Sequence, residues 1–229
     1  MTFQEFLDNT YLAYRGKIAS KTPIFGSDKA NIVLSIANRL TRQWAKDTKY
    51  HWKSLFDIKN ITPSISASTF HYDLDSKFIL PSDYFIVTKT TGEDVQVSVT
   101  NPQKRSNDNY KFYISGNNPK TVNFTTIEPS FVGGTLKAPG YYMPADMTSA
   151  NDNLAVDDPE WLIYATAAEL SRNDPAKEDQ FSNLYGIAND LYLKMAAANR
   201  DLGFNQNNTV PSNMPQISPD LDVDQAFEL

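Results

Sequence analysis

The hydrophobic pattern of this chain changes twice along its length, and this change limits the fold more than any other feature. Apolar residues recur at helical spacing near both ends, whereas residues 60–142 hold short runs of β-branched and aromatic residues separated by Pro, Gly and Asn. We therefore predict an α+β fold: a four-helix bundle with an inserted antiparallel β region and an extended C-terminal tail. The predicted boundaries are 1–58 and 157–203 for the helical bundle domain, 59–156 for the inserted β domain and 204–229 for the extended tail.

Two helices are predicted in the N-terminal part. Thr2 and Glu5 fit a capping box, in which each side chain accepts a hydrogen bond from a backbone amide of the other residue. Ser27 can cap the second helix. The apolar stripe of that helix leaves open whether it continues to Trp52 or even Phe56, which would make it about 40 Å long.

Two further helices are predicted near the other end. Asp158-Pro159-Glu160 combines an N-cap with proline at the first helical position, and Asp174-Pro175 repeats this start after a short connection. Such a short connection favours an antiparallel helical hairpin ending at Gly203. The large apolar residues that we expect to pack within the bundle or between subunits are Trp44, Trp52, Trp161, Phe181, Leu184 and Leu191.

Strands are predicted between these helical parts, where turn signals bound each run. Gly116-Asn117-Asn118-Pro119 is typical of a hairpin turn. The strand candidates are Ser68–Leu74, Tyr84–Thr91, Asp94–Thr100, Tyr110–Ser115, Thr121–Thr126 and Thr135–Tyr142.

Composition narrows the class of protein. The chain has no cysteine, so disulfides and thiolate metal sites are excluded. The first 18 residues include four charged ones and so hold no signal-peptide core. No run of about 18 apolar residues could cross a bilayer. We expect a soluble protein made in a reducing compartment, with no membrane partner.

Charge is unevenly distributed along the chain. Residues 1–56 hold nine Lys or Arg against four Asp or Glu, residues 57–156 hold eight against ten, and residues 157–229 hold four against thirteen. The net charges are therefore +5, −2 and −9, which give the total of −6. The basic N-terminal part and the acidic C-terminal part can attract neighbouring copies head to tail, or can simply pack together within one subunit.

Residue types that carry chemistry are sparse. Two histidines, His51 and His71, lie beside aromatic residues and lack the spaced partners of a zinc site. Asp73, Asp75 and Asp83 could serve a carboxylate-based hydrolase, but turn formation explains them better. Phosphate-binding loops and nucleophile elbows do not occur. We expect no catalytic residue, no metal ligand and no cofactor.

The tail has a composition of its own. It contains no Lys or Arg, and its last part alternates acidic with apolar residues. This pattern favours docking on a partner, while a merely frayed end stays an alternative. The residues predicted to dock are Pro219, Leu221, Val223, Phe227 and Leu229.

The order of helices, β insertion, helices and acidic tail resembles the head–tail adaptor (connector) proteins of tailed bacteriophages. The resemblance is carried by Tyr141-Tyr142-Met143-Pro144-Ala145-Asp146-Met147-Thr148, by Asp157-Asp158-Pro159-Glu160-Trp161-Leu162 and by the helix over Phe181–Met195. In those proteins a β segment leads through a proline-containing loop into such a helix start. A second similarity is Leu80-Pro81-Ser82-Asp83-Tyr84, which is like the sequence that leads from a loop into a strand in those proteins.

The resemblance implies a structural virion protein and no enzyme. It implies a ring of copies, usually dodecameric, at the head–tail junction, assembled in the cytoplasm of the host bacterium. Its partners would be the portal protein, reached by the tail over Gln206–Leu229, and a downstream tail or nozzle protein facing the β part. DNA would pass through the channel without specific binding. The alternatives are a tail-nozzle or other virion protein, and a carbohydrate- or peptide-binding module that uses the β domain.

Overall fold

The computed structural model describes residues 1–15, 22–47, 49–82, 84–99, 111–116, 119–172 and 174–201. In these residues the α-helices, α1 to α4, are Phe3–Arg15, Asp28–Ala45, Pro159–Arg172 and Glu178–Asp201. The strands, β1 to β8, are Phe56–Ile61, His71–Asp73, Phe78–Pro81, Tyr84–Thr88, Asp94–Val99, Lys111–Ser115, Thr121–Phe124 and Thr135–Tyr142. Short 3-10 turns occupy Lys53–Leu55, Pro129–Phe131 and Pro175–Lys177.

The strands form one mainly antiparallel sheet in the order β1-β8-β4-β5-β6-β7-β2, and β3 pairs with the far end of β8. The β5–β6 pair is parallel. Alternate residues point to one side, where Phe85, Val87, Val97 and Phe112 are fully buried. The sheet therefore has its own hydrophobic core, distinct from the core of the helices.

Strand β8 is the most extensively paired strand in the described part of the chain, because it forms hydrogen-bonded pairs with β1, β4 and β3. Gly140 allows the close approach of β3 to β8. A Cβ atom at this position would lie 2.6 Å from the carbonyl oxygen of Leu80 and 2.6 Å from the ring of Phe78. Only a residue without a side chain fits there.

The helices are not arranged as a four-helix bundle, and that part of the predicted fold is wrong. Helix α3 packs against each of α1, α2 and α4, most extensively against α4, whereas the backbones of those three helices rarely approach one another in the described part of the chain. A bundle helix buries a single stripe, but α3 is buried on most of its surface. Its small residues, such as Ala165 and Ala168, let neighbours approach from several sides.

Helix α2 ends at Ala45 and does not continue to Trp52 or Phe56. The chain turns back after Lys46, and the indole N–H of Trp52 donates a hydrogen bond of 2.8 Å to the carbonyl oxygen of Trp44. Phe56 already begins β1. Because this hydrogen bond and the ring contact of the two tryptophans close the turn, the longer helix is excluded.

Each predicted strand overlaps an observed one, from β2 and β4 to β8, but β1 and β3 were not predicted. The division into domains stays a prediction. The predicted tail, with Pro219, Leu221, Val223, Phe227 and Leu229, lies outside the described residues, as does Asp83. No helix in the described ranges combines the length and apolar character needed to cross a membrane.

Candidate assembly interface

Asp73 and Asp75 lie at a polar cavity of about 290 Å³ between β1 and β2, the two end strands of the sheet. Lys59 of β1 reaches across this cavity. Its Nζ lies 3.5 Å from the carboxylate of Asp75 and 4.2 Å from the ring centre of Tyr142. Asp73 accepts a hydrogen bond of 2.9 Å from the hydroxyl of Thr121. The structure thus brings the two carboxylates to one cavity, together with a lysine.

The electrostatics of this cavity favour an ion pair. The backbone N–H of Lys77 donates a hydrogen bond to Asp75, and this bond, together with nearby Lys59, lowers the pKa of the Asp75 carboxyl. Burial raises the pKa of the Tyr142 hydroxyl far above its usual range. A general acid in glycoside hydrolysis needs a raised carboxyl pKa, so the shift at Asp75 has the opposite direction.

The two histidines lie in different settings. His71 is exposed on β2, and its Nδ1 lies 2.6 Å from the side-chain oxygen of Asn123 on β7. The ring of His51 makes a tilted contact with the ring of Tyr141, at 5.3 Å between ring centres. Within the residues that the structure describes, no three His, Cys, Asp or Glu side chains are grouped so that they could hold a metal ion.

A second cavity, which we call the junction cavity, lies between the end of α2 and the strands β3 and β8. Its volume is about 150 Å³ and its walls are mainly apolar. Three parts of the chain that are distant in sequence meet there, so helices and sheet both contribute. The lining residues are Ala45, Lys46, Asp47, Tyr50, His51, Trp52, Leu55, Ile79, Leu80 and Tyr141.

An aromatic cluster stiffens the helical side of the junction cavity. The ring of Trp52 lies 5.3 Å from Trp44 and 5.4 Å from Tyr50, and the ring of Tyr192 lies 5.6 Å from Trp52. Trp161 of α3 contacts Tyr192 at 5.5 Å. Such tilted and edge-on contacts between aromatic rings are favourable beyond simple burial, so the cavity wall is held in place.

The six residues predicted to pack within the bundle or between subunits differ in how deeply they are buried. Four are buried inside this chain: Trp44, Trp52, Trp161 and Leu184. Phe181 and Leu191 are half-buried and lie against the helical cores. Contact of any of them with a second subunit stays a prediction.

Several large apolar side chains are exposed on the N-terminal helices. Ile24, just before α2, is 78% exposed, and Ile32 on the first part of α2 is 54% exposed. Leu12 on α1 is also exposed. Isolated exposed apolar residues are ordinary, but Ile24 and Ile32, one before and one after the start of α2, offer a surface for a partner.

Sequence reasoning missed the junction cavity and the exposed apolar residues at the other end of α2. Leu80 begins one of the stretches that resemble adaptor proteins, and Tyr141 begins another. The proximity of these two motifs in space could have been proposed from their shared resemblance. The strand pairing that joins them, Leu80 opposite Tyr141, is visible only in the folded chain.

No protein-family model matches this chain, and no curated protein is significantly similar to it. What the chain does is therefore inferred from its own residues and their geometry.

Proposed function

We propose that this chain is a structural virion protein, a head–tail adaptor subunit of a tailed bacteriophage. Copies form a ring, which is usually dodecameric in such proteins, between the portal protein and a downstream tail or nozzle protein. The ring leaves a channel through which DNA passes without specific binding. The protein performs no enzymatic reaction; it holds two different assemblies together at the head–tail junction of the virion.

One observation carries this proposal: the segment that resembles adaptor proteins fastens the N-terminal helices to the rest of the chain. The Asn38 side chain of α2 exchanges two hydrogen bonds of 3.0 Å with the backbone of Met147. Arg42 of α2 pairs with Asp146 at 2.6 Å. Buried backbone groups that are paired in this way fix the path of a loop.

The residues that directly follow this segment hold α1. The backbone N–H of Phe3 donates to the carbonyl of Asp152 at 2.9 Å, and Thr2 and Asn153 form an isolated antiparallel bridge. The carboxylate of Asp152 accepts hydrogen bonds from the backbone amides of Thr148 and Ser149 at 2.6 and 2.9 Å. A motif with this many anchoring contacts supports a scaffold role, because it sets the orientation of helices relative to the sheet.

Charge also supports assembly between copies. The basic residues 1–56 and the acidic residues 157–229 carry net charges of +5 and −9. In a ring, the same two surfaces of neighbouring copies meet at every interface, so a modest attraction is repeated around the closed assembly. The acidic total also suits a channel that DNA must leave freely, since a basic channel would retain the phosphate backbone.

Co-purification tests this proposal. An N-terminally tagged copy is expressed in cells that produce the virus particles, and the captured material is identified by mass spectrometry and negative-stain imaging. We expect a portal ring carrying several copies of this chain. A monomer free of particle proteins would overturn the proposal.

The polar cavity at the sheet ends favours a second candidate, a carbohydrate- or peptide-binding module. Lys59, Asp73 and Asp75 provide charged groups there, and Tyr142 provides an aromatic surface. Glycan-array and peptide-array binding by the purified chain test this candidate. Binding that is lost in Asp75→Asn, with no particle protein captured, would favour the module over the adaptor.

A further inference from the structure

The junction cavity has the size and lining of a socket for an aromatic side chain. An apolar protein cavity of about 150 Å³ is large enough to hold a benzene-sized group. Its walls include the buried rings of Tyr50 and Trp52 and the apolar side chains of Leu55 and Ile79. A ring that enters it would exchange water for apolar contacts on several sides.

Cations outnumber carboxylates around the cavity: the lining includes one carboxylate, Asp47, which already accepts hydrogen bonds from the Tyr192 hydroxyl and the backbone N–H of Lys49. Lys46 lines the cavity, Lys49 follows closely in the chain, and the guanidinium of Arg200 lies 5.5 Å from the ring centre of Tyr50. None of these three cations forms an ion pair with a carboxylate in the part of the chain that the structure describes. A partner that combines an aromatic residue with acidic neighbours would therefore match both the socket and its rim.

Helix α4 ends beside this cavity. The side-chain oxygen of Asn199 accepts a 3.0 Å hydrogen bond from the backbone N–H of Lys53, and its amide group donates one of 3.0 Å to the carbonyl of His51. His51 lines the cavity. The C-terminal end of α4 therefore lies close to the socket.

We propose that residues 219–229 of the same chain bind the junction cavity, with Phe227 in the socket. This segment carries Asp220, Asp222, Asp224 and Glu228 and no Lys or Arg. The residues between Asp201 and Pro219 can span up to about 60 Å when extended, which is ample for a return to the cavity. The contact is internal to the chain and holds whether or not the protein is an adaptor.

The absence of cysteine makes the proposal testable by engineered disulfides in the full-length chain. Lys46→Cys and Ala226→Cys place one thiol on the exposed rim and one beside Phe227, which is kept. The control pair joins Ala226→Cys with Ile32→Cys, an exposed position on α2 about 20 Å along the helix from Lys46. Disulfide formation is followed by gel mobility and mass spectrometry at several protein concentrations, and circular dichroism checks that each variant is folded.

We expect the rim pair to form an intrachain disulfide about tenfold faster than the control pair, independently of protein concentration, because binding raises the effective concentration of the thiols. Adding Phe227→Ala or Arg200→Glu should remove most of this difference. Equal rates for the two pairs would overturn the proposal. Disulfides that form only between chains would also overturn it, since they would place the segment of one copy on another.

Discussion

The hydroxyl of Tyr192 on α4 donates a hydrogen bond to the carboxylate of Asp47, which lies just past the end of α2. The same carboxylate accepts a bond of 2.8 Å from the backbone N–H of Lys49. Asp47 therefore joins the last helix to the turn that forms one wall of the junction cavity. Tyr192 also contacts the rings of Tyr50 and Trp52, so the phenol is both a donor and a packing surface.

Replacing Tyr192 by Phe should lower the free energy of unfolding by about 1–3 kcal/mol, because the ring is kept while Asp47 loses a donor in a partly buried setting. Urea unfolding followed by tryptophan fluorescence measures the change. Asn183→Ala, an exposed position on the same helix, is the control and should change the free energy by no more than about 0.5 kcal/mol.

Alkaline pH gives a second measure of the same contact. Burial, together with Asp47, raises the pKa of the Tyr192 hydroxyl above its ordinary value of 10.0. Folding thus favours the protonated phenol; this contribution is complete below pH 10 and is lost as the pH rises above it. The parent chain should lose stability above about pH 10 more steeply than Tyr192→Phe. If the stability of both proteins falls equally above pH 10, the proposed role of the Tyr192 hydroxyl is wrong.

Two glycine substitutions should have opposite signs. Gly140→Ala places a methyl group against the backbone of Leu80 and the ring of Phe78, both within 2.6 Å. We expect a loss of about 2 kcal/mol or more in the free energy of unfolding, because β3 must move away from β8. Gly186→Ala on α4 meets no atom within 4 Å, and it should stabilise the chain by about 0.5–1 kcal/mol through helix propensity. Thermal unfolding of both variants checks the pair, and a neutral Gly140→Ala would refute the tight β3–β8 contact.

Acid should lower the stability of the folded chain by protonating Asp75 at the polar cavity. The pKa of this carboxyl is held below its ordinary value of 3.8, so its contribution to stability is present above pH 3.8 and is lost as the pH falls through the lowered value. Asp75→Asn should therefore flatten the acid limb of a plot of stability against pH. Asp190→Asn, on an exposed position of α4, is the matched control. If stability falls equally with acid in the parent chain and in Asp75→Asn, neither the hydrogen bond from Lys77 nor the pairing with Lys59 stabilises the ionised carboxylate.

The exposed isoleucines test assembly separately from folding. Ile32→Glu places a charge on an apolar surface of α2, where it would be buried in an interface between copies. We expect the free energy of unfolding to stay within about 0.5 kcal/mol of that of the parent chain. Ring formation should be lost, and native mass spectrometry of captured complexes measures it. Ser35→Glu, exposed on the same helix, is the control. If Ile32→Glu still forms rings, this surface is not the interface.

Local features of the fold could be predicted from the sequence because their causes are local. The capping box is confirmed: the backbone N–H of Thr2 donates to Glu5 at 2.8 Å, and that of Glu5 donates to the Thr2 hydroxyl at 3.3 Å. Asp158 likewise accepts a bond of 2.8 Å from the N–H of Glu160 at the start of α3. These hydrogen bonds join residues two or three positions apart, so spacing alone reveals them.

The arrangement of the helices could not be predicted in the same way. A helical period shows which residues of α2 and α4 are buried, but it does not show that α3 covers both of them. The run Phe56-Asp57-Ile58-Lys59 does alternate apolar with polar residues, but it is too short to be separated from the helical pattern before it, and pairing with β8 is what makes it a strand. The junction cavity depends on three distant segments and so leaves no local signal.

The most direct test of the adaptor proposal is the position of this chain in the virus particle. Particles that carry an N-terminal hexahistidine tag on this protein are labelled with nickel-coated gold and imaged by electron microscopy. We predict several gold particles clustered at the head–tail junction of each virion. Gold at the tail tip or on the capsid surface, or particles without label although the chain is expressed, would contradict the adaptor role.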